Sequence, residues 1–126
     1  MEVLNGISDI DSKIIDNPNS VLVIYRPDCP WCMKIQEDLK SLEEEGLAKV
    51  YLLPVEKAGP LLKKVGAQGV PVTISFRECE LTHVFDGYDE SIAKTLSEEY
   101  KDAKPVCRVN LSEVLFDRTL LGEPII

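Results

Sequence analysis

Two cysteines separated by a proline and a tryptophan, Cys29-Pro30-Trp31-Cys32, offer the chain its clearest chemistry. The apolar run Val21-Leu22-Val23-Ile24-Tyr25 stands ahead of them and has a buried strand's composition. From Met33 to Gly46 the apolar residues recur at the spacing of an amphipathic helix. The pair therefore falls where a strand ends and a helix begins. Proline is favoured at the first helical position, which makes Cys29 the N-cap and puts Cys32 in the first turn. A side chain at that cap faces unpaired backbone N–H groups and the positive end of the helix dipole. Both favour the thiolate, the reactive form of cysteine. Cys32 is placed to donate a hydrogen bond to that thiolate and then to attack a mixed disulfide formed on it. The competing chemistry is zinc binding, but a four-cysteine site usually takes a second close pair, and Cys79 and Cys107 stand far apart in sequence. Redox chemistry is the better reading of this strand–helix context.

The elements that must position the pair are legible around it. Ser8-Asp9-Ile10-Asp11 has the form of a capping box, with Ile7, Ile10 and Ile14 at helical spacing, and Asn17-Pro18-Asn19 stops that helix. A strand over Val21 to Tyr25 leads into the long helix, with Ile35, Leu39 and Leu42 inward and Gly46 as its cap. A second strand runs through Val50 to Leu53, and a short helix from Pro60 to Val65 closes at Gly66. Val72 to Phe76 and Leu81 to Phe85 read as a hairpin turning at Arg77 to Glu80. A last helix is expected from near Asp89, with Ile92, Ala93, Leu96 and Tyr100 on one face, ending at Pro105. Strands joined through a helix pair in parallel and the hairpin adds an antiparallel pair. The expected fold class is therefore α/β, a mixed central sheet covered by helices.

The 126 residues suit one domain with one core. Acidic residues number 22 against 14 basic, a net charge of −8, which argues against nucleic acid and anionic lipid as partners. No basic start followed by an apolar stretch marks a signal peptide, and no run is long enough for a membrane span, so a cytoplasmic location is expected. The domain is expected over residues 1–104. Residues 105–126 form an apolar extension, with Val106, Val109, Leu111, Leu120 and Ile126 among its members, too apolar for a disordered tail. Docking on the domain is the expectation, with a partner or dimer surface as the other reading. The protein is otherwise expected to be a monomer.

The order of elements, with CxxC after the first strand and Gly69-Val70-Pro71 before the hairpin, resembles the thioredoxin fold. Within that superfamily, Tyr25-Arg26-Pro27-Asp28-Cys29-Pro30-Trp31-Cys32 is similar to the dithiol glutaredoxin pattern, in which a basic residue stands three before the first cysteine. Val70-Pro71 resembles that family's Val-Pro, which implies a cis proline and a Val70 backbone bared for pairing with substrate. Gly87-Tyr88-Asp89 resembles the segment that grips glutathione, with Asp86 where the family has its first glycine. The length, the first helix and the run from Lys64 to Pro71 are more similar to thioredoxins.

The resemblance implies a thiol–disulfide oxidoreductase with Cys29 as nucleophile and Cys32 as resolving thiol, supported by Pro30, Trp31, Pro71 and Arg26. Its substrates would be disulfide-containing client proteins or glutathione mixed disulfides. No bound cofactor is implied. Glutathione is the expected co-substrate, bound by Arg26, Val70, Pro71, Gly87, Tyr88 and Asp89. A flavin-dependent thioredoxin reductase is the alternative donor, and an iron–sulfur carrier is a minor alternative, hindered by Pro30. Trp31 is expected to be exposed as a contact surface. His83 is expected to be a half-exposed sheet residue. Cys79, in the hairpin turn, lies on the order of 15–20 Å from the Pro71 end and is expected to be an incidental thiol. Cys107 remains open as a resolving or regulatory thiol.

Overall fold

The computed structural model describes residues 1–108. Along the chain its elements are β1 (Glu2–Val3), α1 (Ile10–Asp16), β2 (Ser20–Tyr25), α2 (Pro30–Glu44), β3 (Lys49–Pro54), α3 (Gly59–Val65), β4 (Val72–Arg77), β5 (Glu80–Asp86) and α4 (Ile92–Tyr100). Turns of 3-10 helix at Ile7–Asp9 and Val55–Lys57 lead into α1 and α3. The sheet order is β1-β3-β2-β4-β5. β3 runs parallel to β1 and β2, while β4 is antiparallel to β2 and β5. The expected mixed sheet is present, with one strand more than the sequence pattern indicates. A two-residue strand carries no periodicity; Glu2 and Val3 become β1 only because Tyr51 and Leu52 of β3 offer them an edge.

Alternation along the strands splits the core in two. Leu22, Ile24, Leu53, Val72 and Ile74 pack with Ile10 and Ile14 of α1 and Leu61 of α3. Val21, Val23, Val50 and Leu52 pack on the other face with Ile35, Leu39 and Leu42 of α2 and Ile92 and Leu96 of α4. Each such side chain withdrawn from water contributes about 1.5–3 kcal/mol. A one-residue slip of β2 would invert its whole apolar set, so burial on both faces locks the register that places the CxxC.

Two helices begin or end differently from their sequence reading. α1 starts at Ile10 with Asp9 rather than Ser8 as its N-cap, and the Asp9 carboxylate accepts the Asn5 N–H at 3.0 Å. α4 starts at Ile92 rather than near Asp89, whose carboxylate accepts from Ser91 N and Oγ at 2.8 and 2.6 Å. It ends at Tyr100, well before Pro105. The Tyr100 hydroxyl lies 3.0 Å from the Ser20 carbonyl and 2.9 Å from that of Phe76, pinning the helix end to β2 and β4. Lys101 and Lys104 therefore lie beyond the helix. Gly46 and Gly66 follow α2 and α3 at φ +70° and +74°, as expected of caps. Beyond residues 105–108, the apolar extension expected to dock on the domain lies outside the described residues. No helix among the described residues is long and apolar enough to cross a membrane.

Candidate active site

Register brings the site together. Ile24 near the end of β2 pairs with Val72 at the start of β4, so Pro71 and the CxxC lie at the same end of the sheet. Cys29 is the N-cap of α2 and Pro30 its first residue, as the spacing predicts. The Cys29 Sγ accepts a hydrogen bond from the Cys32 backbone N–H at 3.1 Å. The two cysteines are bridged, with Cα atoms 5.2 Å apart, so this is the oxidised state. Cys32 has no exposed surface, whereas Cys29 keeps 4 %. Of the two, only Cys29 keeps any exposed surface.

Across from the pair, the Val70–Pro71 bond is cis, as the family resemblance implies. The Pro71 carbonyl accepts the Gly87 N–H at 2.9 Å, which ties the corner after β5 to the proline loop. Gly87 holds φ +90°, a conformation that side chains resist, so glycine is required at this junction. Tyr88, the next residue, reaches the opposite wall. Its ring stacks on Trp31 with centroids 5.0 Å apart and planes at 21°. Its hydroxyl donates to Asp38 Oδ2 at 2.5 Å, and Asp38 also holds Lys34 at 3.1 Å. The hydrogen bond to the Asp38 carboxylate, aided by burial, pushes the Tyr88 pKa up to about 12. One corner thus joins the proline loop to the cysteine helix. Asp38 was not legible as a site residue, because an acid on a helix surface is ordinarily just solvated.

Trp31 is 60 % exposed, as expected of a contact surface, and Met33 beside it is exposed as well. Arg26 makes an exposed ion pair with Asp28, Nε to Oδ1 at 3.1 Å. Such pairs contribute about 0–1 kcal/mol, but this one engages the charge expected to act on Cys29 or on a glutathione carboxylate. The Asp89 carboxylate is taken by Ser91, and those hydrogen bonds hold its pKa below the usual range. His83 is half-buried, stacked on Phe85 and 3.4 Å from Glu99.

No protein-family model and no curated protein sequence matches the chain. Solved structures do. A thioredoxin variant from Halobacterium salinarum is 26% identical with a TM-score of 0.69, over 82% of this chain and 93% of that one. The chain has the thioredoxin fold. Thioredoxin O2 from Arabidopsis thaliana (18% identical, TM-score 0.65, 79% of this chain and 94% of that one) and mitochondrial thioredoxin 3 from Saccharomyces cerevisiae (17%, 0.63, 81% and 94%) share it. On a thioredoxin fold, a buried CxxC at the start of this helix supports a disulfide oxidoreductase.

The other two cysteines lie at the far end of the same sheet. Cys79 is not an incidental thiol: it is 5 % exposed and bridged to Cys107, their Cα atoms 4.9 Å apart. The pattern could not show this, because nothing in it states where the chain travels after Tyr100. The length of β4 separates Cys79 from the active pair, as expected. An open cleft of about 400 Å³ also lies at that far end, lined by Asn17, Asn19, Lys49 and Pro105 among others.

Proposed function

We propose that this protein reduces disulfides in client proteins and is itself re-reduced by a dithiol or flavin-dependent reductase of the thioredoxin-reductase type. The observation that carries the reading is the asymmetry of the pair, Cys29 keeping a small exposed surface with an N–H aimed at its sulfur and Cys32 fully buried behind it. The Cys29 thiolate attacks a client sulfur, the client S–S bond breaks, and the second client sulfur leaves and takes a proton. Cys32 then loses its proton and attacks Cys29 Sγ, which forms the Cys29–Cys32 bond and frees the first client sulfur. The client gains two electrons and two protons, and the pair is left oxidised, to be recharged by its donor. Trp31 and Met33 supply an apolar rim for the client, and the Val70 backbone beside Pro71 supplies strand-like hydrogen bonds.

Glutathione coupling is the second reading, favoured by Arg26, the Cys-Pro-Trp-Cys sequence and the Gly87-Tyr88-Asp89 resemblance. Against it stands the charge of the groove. Glutathione carries two carboxylates that call for cationic partners. Here Arg26 is engaged by Asp28, and the corner carries Asp86, Asp89 and Glu90. The test follows NADPH consumption with a small mixed disulfide, in one cuvette with glutathione and glutathione reductase, in another with thioredoxin reductase. Turnover only with the flavoenzyme is the expected result. Turnover with glutathione hands the donor role to glutathione and restores Arg26 and the Gly87-Tyr88-Asp89 corner as its groove.

A further inference from the structure

The end of the sheet opposite the CxxC carries a second constructed centre that the mechanism above does not use. The two-residue turn between β4 and β5 consists of Glu78 and Cys79, at φ +54° and +72°. Neither is a glycine, and the surroundings hold the turn: the Glu78 N–H donates to Asn19 Oδ1 at 2.9 Å and the Cys79 N–H to the Pro18 carbonyl at 2.9 Å. The segment after α4 is fastened to this turn. Asn19 Nδ2 donates to the Lys104 carbonyl at 3.0 Å, the Arg108 N–H to the Glu78 carbonyl at 3.0 Å, and Arg108 Nε to Glu78 Oε1 at 2.9 Å. The Glu78 side chain is 5 % exposed and also faces Arg77 Nε at 3.4 Å. Cys107 is bridged to Cys79 in the middle of this network.

We propose that Cys79–Cys107 is a second redox site, a substrate for dithiols, whose oxidised form locks residues 104–108 onto the hairpin turn and whose reduction releases them. Three observations carry this. Cys79 Sγ lies 3.6 Å from the Ile14 carbonyl oxygen, an acceptor that a disulfide sulfur has no hydrogen to use and that a thiol does. The reduced state of the buried cysteine is therefore provided for. Cys107 is half-exposed on a segment without helix or strand, so its sulfur is the one a reductant meets. The remaining ties are a few hydrogen bonds and an ion pair whose Arg108 side chain is 68 % exposed. On release the buried Glu78 carboxylate keeps Arg77 at 3.4 Å while the solvated Arg108 returns to water, and the freed segment regains chain entropy.

The chemistry is ordinary exchange. A dithiol's thiolate attacks Cys107 Sγ, the bridge breaks, and Cys79 leaves, takes a proton and turns it toward Ile14. The reductant's second thiol, giving up its proton, then attacks the mixed disulfide, closing a disulfide in the reductant and freeing Cys107. Two electrons and two protons pass to the pair, and the dithiol is oxidised. With the length of β4 between the two centres, the protein's own CxxC serves only from another copy.

The test uses the full chain carrying Cys29→Ser and Cys32→Ser, so that its outcome is independent of the active pair. Native protein is equilibrated with dithiothreitol at graded oxidised-to-reduced ratios, alkylated, and its modified thiols counted by mass. In parallel, hydrogen exchange is followed at the Arg108 and Cys79 amides. The expected result is that both thiols appear together without denaturant and that Arg108 exchange rises on the order of tenfold or more while β2 amides are unchanged. Cys107→Ser shows the fast exchange at every ratio. A bridge that opens only in denaturant, or two thiols that appear with no change in exchange, overturns the proposal. So does air-oxidised protein in which the pair is already free.

Discussion

The two cystines of this protein are the same covalent group in opposite surroundings. Cys29–Cys32 spans three positions at a helix start, where a backbone N–H and the dipole wait for a thiolate. Cys79–Cys107 spans 28 positions, and its buried member follows a buried carboxylate in a turn. One environment lowers the energy of the reduced, charged sulfur and the other raises it. A cysteine pair's work is thus set by what faces the sulfur and by how much chain the bridge encloses.

The widest break in that comparison is functional. Cys29→Ser is expected to abolish disulfide reduction, and Cys32→Ser to retain only single-thiol chemistry that stops at the mixed disulfide. Cys107→Ser is expected to turn over like the parent. Substantial turnover by Cys29→Ser reverses the assignment of the two centres. Stability should divide the other way. By the chain-entropy account the long bridge contributes roughly 3–4 kcal/mol and the short one roughly 2. Urea unfolding of Cys107→Ser against Cys32→Ser reads this difference, and equal losses would show that enclosed chain length is not what matters.

Thiol acidity sharpens the contrast further. The rate of alkylation against pH in fully reduced protein should place Cys29 within roughly 3.5–7.5 and Cys79 above the free value of about 8.5. A smaller effect concerns the corner over the active pair. Tyr88→Phe keeps the ring and loses the bond to Asp38; Tyr88→Ala loses both. Trp31 is the only tryptophan, so its emission reports the stack directly. A red shift is expected for Ala and little change for Phe, with KM for a protein disulfide raised about threefold in Ala, near half a log unit of binding.

The smallest effect is on pH. Burial pushes the Glu78 carboxyl up, but the Lys104 N–H, Arg108 and Arg77 more than offset this and hold its pKa below the usual 4.5. A depressed carboxyl adds stability that is full above the unfolded pKa and is lost as pH falls through the folded one. Glu43 behaves likewise at the end of α2, where the Val50 N–H and the N-terminal ammonium outweigh its burial. Glu78→Gln should flatten the acid limb of stability below about pH 4.5 relative to the parent. An unchanged limb would remove Glu78 from the clasp's energetics.

Much of the fold was legible because each element states itself locally. β2, α2, β3, α3 and the hairpin carry their own periodicity, and the Cys29 cap follows from Pro30 alone. The cis bond before Pro71 was legible by resemblance rather than by pattern. Missed or misplaced features share a physical reason. β1 exists only as an addition to β3, α4 is shorter than its pattern because Asp89 turns to Ser91 and Tyr100 is held by Ser20 and Phe76, and the partner of Cys79 follows an unpatterned segment.

The sequence by itself determined the redox pair, the helix that activates it and the alternation that builds two apolar faces, because these depend on neighbours within a turn or a strand. The tertiary structure decided the rest. Only antiparallel pairing sets Pro71 at the end of the sheet where Cys29 stands. Only the Gly87 corner lays Tyr88 on Trp31 and aims its hydroxyl at Asp38. And only the return of the chain after Tyr100 brings Cys107 to Cys79, because a contact across 28 positions is set by the packing of everything between them.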